Sequence, residues 1–137
     1  MSTPFNDSVI AEFRANEGRV AEFAPRQLIL LHSTGAKSGR THVNPLMPLI
    51  DGERFTVLGG NAGAKADPDW VHNLRADSAV FVETPDGVAA MRGREVTGAE
   101  LEEVHARFSE GYPAFSDYVV SAAPRTIPAF ELAPREA

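Results

Sequence analysis

The chain contains no cysteine. That single absence excludes a disulfide framework, a thiolate metal site and a cysteine nucleophile. There is no excess of positive charge either: 13 lysines and arginines stand against 19 aspartates and glutamates, a net charge of −6. No global positive field therefore draws in nucleic acid or an anionic membrane. No apolar run approaches the length of a membrane span. Met1 to Asp7 is polar, and Glu12 and Arg14 break the apolar stretch that follows. Neither a membrane segment nor a signal peptide is expected, and the expected location is the cytoplasm.

Chemical motifs are equally scarce. No Gly-x-Gly-x-x-Gly opens a helix after a strand, and no phosphate-binding Gly-Lys-Ser/Thr loop occurs. The four histidines, His32, His42, His72 and His105, never take a His-Glu-x-x-His arrangement, so no metal is expected. Ser38 sits between Lys37 and Gly39, outside the Gly-x-Ser-x-Gly setting of a nucleophile elbow. A hydrolase gains no support from these residues.

What is present suits one domain over residues 1–137, because a chain of this length buries roughly two-thirds of the surface it exposes when unfolded. Val9, Ile10 and Phe13 fall at helical spacing and predict an amphipathic helix over about 6–17, capped by Asn6. Gln27 to Ser33 is an apolar run of strand length. His42 to Ile50 reads as a second strand, which Pro45 and Pro48 confine to an edge or a bulge. Asp51-Gly52 signals a hairpin into Phe55–Gly59. Asp67-Pro68 supplies a cap and first-turn proline for a short helix carrying Trp70, Asn73 and Leu74. Ala79–Glu83 and Val88–Val96 form a hairpin about Pro85-Asp86-Gly87. Thr97 and Glu100 make a capping box, Tyr112–Val120 reads as a looser segment, and a last strand falls near Ile127–Leu132. Without regular βαβ alternation, this order predicts a mainly β (α+β) fold, an antiparallel sheet or small barrel with peripheral helices.

Two loops and one aromatic stripe carry the remaining signal. The first loop concentrates Gly35, Lys37, Ser38, Gly39 and Arg40 between two strands. Glycines bring backbone N–H groups close to a ligand, and the two cations suit phosphate or carboxylates. The same composition also describes a solvated hairpin loop. The second loop, Gly59 to Lys65, is small enough to lie against a flat aromatic ligand. Trp70 beyond it is either a core anchor or part of a pocket wall, and Asn73 either a ligand contact or a helix-end cap. Tyr112, Phe115 and Tyr118 recur at intervals of three. They make either a structural stripe or a pocket wall facing a carbonyl-bearing substrate.

Taken as an ordered set, these pieces resemble the deazaflavin-dependent nitroreductase family. The fragments that carry the resemblance are Phe13–Gly18, Leu30–Arg40 with its Thr-Gly-x-x-Ser-Gly core, Asn44-Pro45-Leu46, Pro68–Leu74 and Arg125-Thr126-Ile127-Pro128. The resemblance implies a split β-barrel of the FMN-binding-like type that binds coenzyme F420. It implies that Lys37, Ser38 and Arg40 meet the cofactor's phosphate and acidic tail. Asn44, Pro45 and Met47 would lie along the cofactor, and Gly60, Asn61, Gly63 and Lys65 around its ring or phosphate. Trp70, Asn73 and Leu74 would close that side. Tyr112, Phe115 and Tyr118 would face substrate, with Tyr112 and Tyr118 supplying hydrogen bonds or a proton to the reaction. Phe115 stands where some nitro-reducing relatives carry tyrosine.

The activity so implied is hydride transfer from the reduced deazaflavin to an electron-poor small molecule such as an enone, quinone or nitroaromatic. The alternatives are FMN on the same barrel and a non-catalytic F420 carrier. The chain is expected to act as a monomer or homodimer.

Overall fold

A computed structural model describes residues 3–136; Met1, Ser2 and Ala137, which the single-domain reading includes, lie outside the described residues. Seven antiparallel strands form one sheet: β1 (Ile29–Thr34), β2 (Thr41–Leu46), β3 (Leu49–Asp51), β4 (Arg54–Leu58), β5 (Ala79–Thr84), β6 (Gly87–Val96) and β7 (Ala129–Pro134). Their spatial order is β2-β1-β5-β6-β7-β4-β3, which puts β2 and β3 at opposite edges. Yet only Met47 and Pro48 separate these two strands in the chain. A flat sheet of this width would hold its edges roughly 29 Å apart, whereas that short link reaches about 11 Å. The sheet must therefore curl until its edges nearly meet. The result is a split β-barrel, as the sequence resemblance implied.

The sequence predicts one strand over His42–Ile50, and the structure divides it. Pro48 cannot donate to a ladder, so β2 ends at Leu46 and β3 starts afresh on the far edge. The Asp51-Gly52 hairpin forms as expected, pairing Asp51 with Arg54.

β1 explains its own unbroken apolar run, because both of its faces are covered. Ile29 and Leu31 enter the barrel interior with Val57, Val80, Val82, Phe130 and Leu132. Leu30 points the other way, under Val9 and Phe13 of helix α1 (Pro4–Ala15). That helix starts two residues before the predicted position. Thr3 is its cap, accepting from the Asn6 N–H at 3.1 Å, and Pro4 opens the first turn. It leaves through Glu17 in the left-handed region, and the Gly18 N–H returns to the Phe13 carbonyl at 2.7 Å. Arg14 fastens the helix to β5 through both oxygens of Glu83, at 2.9 and 3.0 Å. The Arg14 pair, aided by His32, holds the Glu83 carboxyl below its ordinary range against the opposing effect of burial.

Helix α2 (Asp69–Ala76) closes one end of the barrel. Its buried face is Trp70, Val71, Asn73 and Leu74. Trp70 meets Phe130 edge-on with centroids 5.9 Å apart. Leu74 lies over Gly93 of β6, where an added Cβ would come within 2.7 Å of it. Asp67 does not cap this helix; its carboxylate is drawn away by Arg75 and Arg125.

Helix α3 (Gly98–Gly111) lacks the predicted capping box, because Glu100 is engaged by Arg94 at 2.7 and 3.1 Å. The segment read as loose holds helix α4 (Phe115–Ala122), whose Phe115 and Ala122 pack with Ile127. No side chain caps α4, so burial of its apolar face holds it in shape. No helix among the described residues is long and apolar enough to cross a membrane.

Trp70→Ala should remove a large part of the barrel's internal packing and cost about 3–5 kcal/mol of stability, read from urea unfolding. A loss under about 1 kcal/mol would show that Trp70 is not a core residue.

Candidate functional site

The free edge of β2 borders a long cleft made of three neighbouring hollows. The first, about 490 Å³, lies under the glycine-bearing loop and is lined by Gly35, Lys37, Ser38, His42, Asp69 and Asn73 among others. The second, about 820 Å³, runs along β2 past Arg40, His42 and Asn44. α1 forms its other side and Asn61 its far end. The third, about 250 Å³, is walled by Pro45, Met47, Gly60, Asn61, Phe115 and Tyr118, with Phe108 and Tyr112 behind. His42, Asp69 and Asn73 are common to the first two hollows, and Asn61 to the second and third. A separate hollow of about 840 Å³ lies beyond the end of α1, between residues 16–27 and Pro85-Asp86, and shares no residue with these three.

The loop that carries the cations is built by its own backbone and by α2. The Gly35 N–H donates to the Arg40 carbonyl at 2.7 Å, and the Gly39 N–H to the Gly35 carbonyl at 2.9 Å. Gly39 takes φ +70, which suits glycine. Ser38 Oγ accepts from the Arg40 N–H at 3.1 Å. Asn73, buried on α2, accepts the Ala36 N–H at 2.9 Å and donates to Ser33 Oγ at 3.2 Å. Asn73 thus sets the loop against the sheet while lining the cleft. The side chains of Lys37 and Arg40 engage in no ion pair among the described residues, leaving both cations to a ligand.

The opposite wall depends on Arg125. Its guanidinium donates to the carbonyls of Gly59, Gly60 and Ala64 and to Asp67 Oδ1, at 2.7 to 3.1 Å. With its carbonyls gathered inward, the second loop turns sharply through Asn61 and Ala62, both at positive φ. Gly60 in the right-handed region followed by Asn61 in the left-handed region forms a nest whose N–H groups converge. The Gly60, Asn61 and Ala62 amides donate to no backbone carbonyl among the described residues. At the inner end, the Tyr112 and Tyr118 hydroxyls are 3.2 Å apart. That bond, then partial burial, push the Tyr118 phenol above its ordinary ionisation range, so it keeps its proton. Arg26 lies 5.0 Å over the Tyr112 ring.

The sequence-predicted residues divide accordingly. Lys37, Ser38, Arg40, Asn44, Pro45, Met47, Gly60, Asn61, Asn73, Tyr112, Phe115 and Tyr118 come together along one cleft. Four others do not line it. Trp70 and Leu74 are core side chains, 3% and 2% exposed, drawn inward by the barrel end they seal. Gly63 is buried against Ser121 and Tyr118. Lys65 reaches away, donating its Nζ to the Ala123 carbonyl. Phe115 touches the cleft from a buried position, edge-on to both His105 and Phe108. Sequence reasoning missed Arg125 and His42 as site residues. Arg125 stands in a fragment of the resemblance, but the carbonyls it binds lie about sixty positions away, so its role shows only in the structure.

A family model described as F420H(2)-dependent quinone reductase matches residues 6–134. The chain belongs to that family. This narrows the nitroreductase resemblance to quinone reductases. A quinone reductase of this kind from Mycobacterium tuberculosis is 32% identical over 74 residues, which cover 53% of this chain and 50% of that protein. The chain thus spans about half the length of the curated relatives it matches. A solved structure described as an F420-H2 dependent reductase superposes with TM-score 0.69 at 30% identity, covering 77% of this chain and 92% of its own. Another, described as a domain-swapped dimer, has TM-score 0.71 at 27% identity over 95% and 99% of the two chains. The family implies coenzyme F420, and the donor set fits it. Two cations without an ion pair among the described residues suit a phosphate and carboxylate tail, and the smaller end, with its aromatic and apolar walls and the Gly60–Ala62 amides, suits a flat ring.

Arg125→Ala should destabilise the fold by about 2–4 kcal/mol, since three carbonyls lose a charged donor while Asp67 keeps Arg75. Thermal and urea unfolding read the loss directly, and an unchanged midpoint would show that the loop does not depend on Arg125.

Proposed function

We propose that this protein is an oxidoreductase that uses reduced F420 to reduce an electron-poor carbonyl acceptor, a quinone in the first instance. Enones and nitroaromatics are acceptors of the same electronic kind. The observation that carries the reading is the polarity of the cleft: the cations Lys37 and Arg40 at one end, and at the other a hydrogen-bonded tyrosine pair in a largely apolar recess that the Gly60–Ala62 loop borders.

The cofactor when bound supplies hydride from its ring. The chain's own residues bind, orient and protect. Lys37, Ser38 and Arg40 hold the anionic tail, and Asn44, Pro45 and Met47 direct the body of the ligand along β2. Gly60 and Asn61 present backbone N–H groups to polar ring atoms. Met47, Phe108 and Phe115 keep water from the recess. Tyr118, held protonated, donates a hydrogen bond to the acceptor oxygen where negative charge develops, and the Tyr112 hydroxyl beside it orients that donor. Holding donor and acceptor at near-attack distance contributes roughly 7–11 kcal/mol.

The deciding experiment titrates the protein with oxidised F420 beside FMN, then follows oxidation of reduced F420 by a soluble quinone. Saturable binding of F420 with quinone-dependent oxidation supports the proposal. Binding of FMN alone would move the protein to flavin chemistry, and tight F420 binding without acceptor-dependent oxidation would make it a carrier. Arg40→Ala should raise the Kd for F420 roughly tenfold or more, the scale of one charged hydrogen bond. Unchanged affinity would remove Arg40 from the site. Tyr118→Phe should lower kcat while leaving that Kd near its starting value; the reverse pattern would remove Tyr118 from the reaction.

A further inference from the structure

Arg26 stands just before β1 and lines none of the three hollows of the cleft. Its backbone is fixed at its own end of the chain: the Arg26 N–H donates to the Phe23 carbonyl at 2.8 Å, and Leu28 is buried with Val9 and Phe13 of α1. The side chain crosses from there to the end of α3. One guanidinium makes two contacts on consecutive residues. Its Nη2 donates to the Gly111 carbonyl at 3.0 Å, and its Cζ lies 5.0 Å from the centre of the Tyr112 ring. No ion pair among the described residues competes for it.

Tyr112 is the residue on which α3 stops, with φ −143 and ψ 81. The last carbonyls of a helix lack partners within it, and a cation suits that end. Arg26 supplies the cation, because the last turn of α3 holds no basic residue of its own. Tyr112 also lines two hollows. One is the tyrosine recess, and the other is a smaller space of about 190 Å³ that it shares with Arg26, Gln27 and Ile50. Its ring meets Phe108 at 6.0 Å and Tyr118 at 6.1 Å, both tilted.

We infer that Arg26 is a positioning residue for the acceptor site: by gripping Gly111 and the face of Tyr112, it keeps the Tyr112 hydroxyl against Tyr118. The inference rests on the tyrosine reading above and adds a residue outside the cleft. A phenol has one proton to give. When Tyr118 donates to the acceptor oxygen, the 3.2 Å contact between the hydroxyls requires Tyr112 to donate to the Tyr118 oxygen. That donation polarises the Tyr118 O–H and strengthens it as a donor. It lasts only while the Tyr112 ring keeps its orientation, and that ring is half-buried. A cation over the aromatic face restrains it.

Single-turnover oxidation of bound reduced F420 by a saturating soluble quinone tests this through a double-mutant cycle. Arg26→Gln should slow that rate about three- to tenfold, the scale of one partly exposed cation–ring contact. The Kd for F420 should stay near its wild-type value. Arg26→Lys, which keeps a cation over the ring, should recover most of the rate. Tyr112→Phe keeps the ring and loses the hydroxyl, so adding Arg26→Gln to it should change the rate by less than about twofold. Equal slowing in both backgrounds overturns the inference, because Arg26 then acts through packing and not through the Tyr112 hydroxyl. An unchanged rate in Arg26→Gln beside slowed tyrosine variants overturns it as well, and so does a loss matched by weaker F420 binding. Full rates in both Tyr112→Phe and Tyr118→Phe overturn the tyrosine reading, and the inference with it.

Discussion

The two-residue link between β2 and β3 is the constraint from which the rest of the molecule follows. Strands at opposite edges of a seven-stranded sheet are tied by Met47 and Pro48, and the sheet has no choice but to curl. Curling gives the interior that Ile29, Leu31, Val57, Val82 and Leu132 fill. It also leaves β2 as an edge strand whose unpaired side borders open space instead of another strand. The cleft is the consequence of a barrel that nearly closes. Met47, the first residue of the link, is itself part of the wall of the innermost hollow.

Once the barrel exists, the two loops that border the cleft are positioned by a buried polar group, Asn73, and a half-buried one, Arg125. Asn73 reaches from α2 to an amide of the first loop and to Ser33 on the sheet. Arg125 reaches from the segment before β7 to three carbonyls of the second. Each makes several bonds at once, and each would be costly to bury unsatisfied. This arrangement frees Lys37, Arg40 and the Gly60–Ala62 amides for a ligand, because the work of holding the loops is done from behind. An acidic protein thereby keeps a local anion-binding surface. The net charge of −6 repels anions at long range, and the fixed donors of the cleft select among those that arrive.

Much of this was legible from local pattern. The apolar run before Ser33, the Asp51-Gly52 turn and the hairpin about Pro85-Asp86 depend on neighbours in sequence, and each forms where the pattern places it. Patterns that rely on a single polar side chain fared worse. Glu100 was read as a cap and Asp67 as another, but arginines distant in sequence or on a neighbouring strand claim both carboxylates. A charged hydrogen bond is stronger than a cap, so the longer-range partner wins. Tyr112–Val120 reads as a looser segment, yet helix α4 begins within it, held by the burial of Phe115 and Ala122. Trp70 and Leu74 share a helix with Asn73, yet they seal the barrel end while only Asn73 reaches the cleft.

The amino-acid sequence by itself determined the kinds of chemistry available: no thiol, one short cationic loop, small-residue turns and a late tyrosine stripe. It also determined most strands, because alternation, proline and turn residues act over a few positions. The tertiary structure alone decided which of these residues share a cleft. Arg125 meets Gly59 and Gly60, and Asn73 meets Ala36 and Ser33, only once the tertiary fold brings them together. Hydrogen bonds and burial depend on distance in space, and distance in space is set by the closure of the barrel.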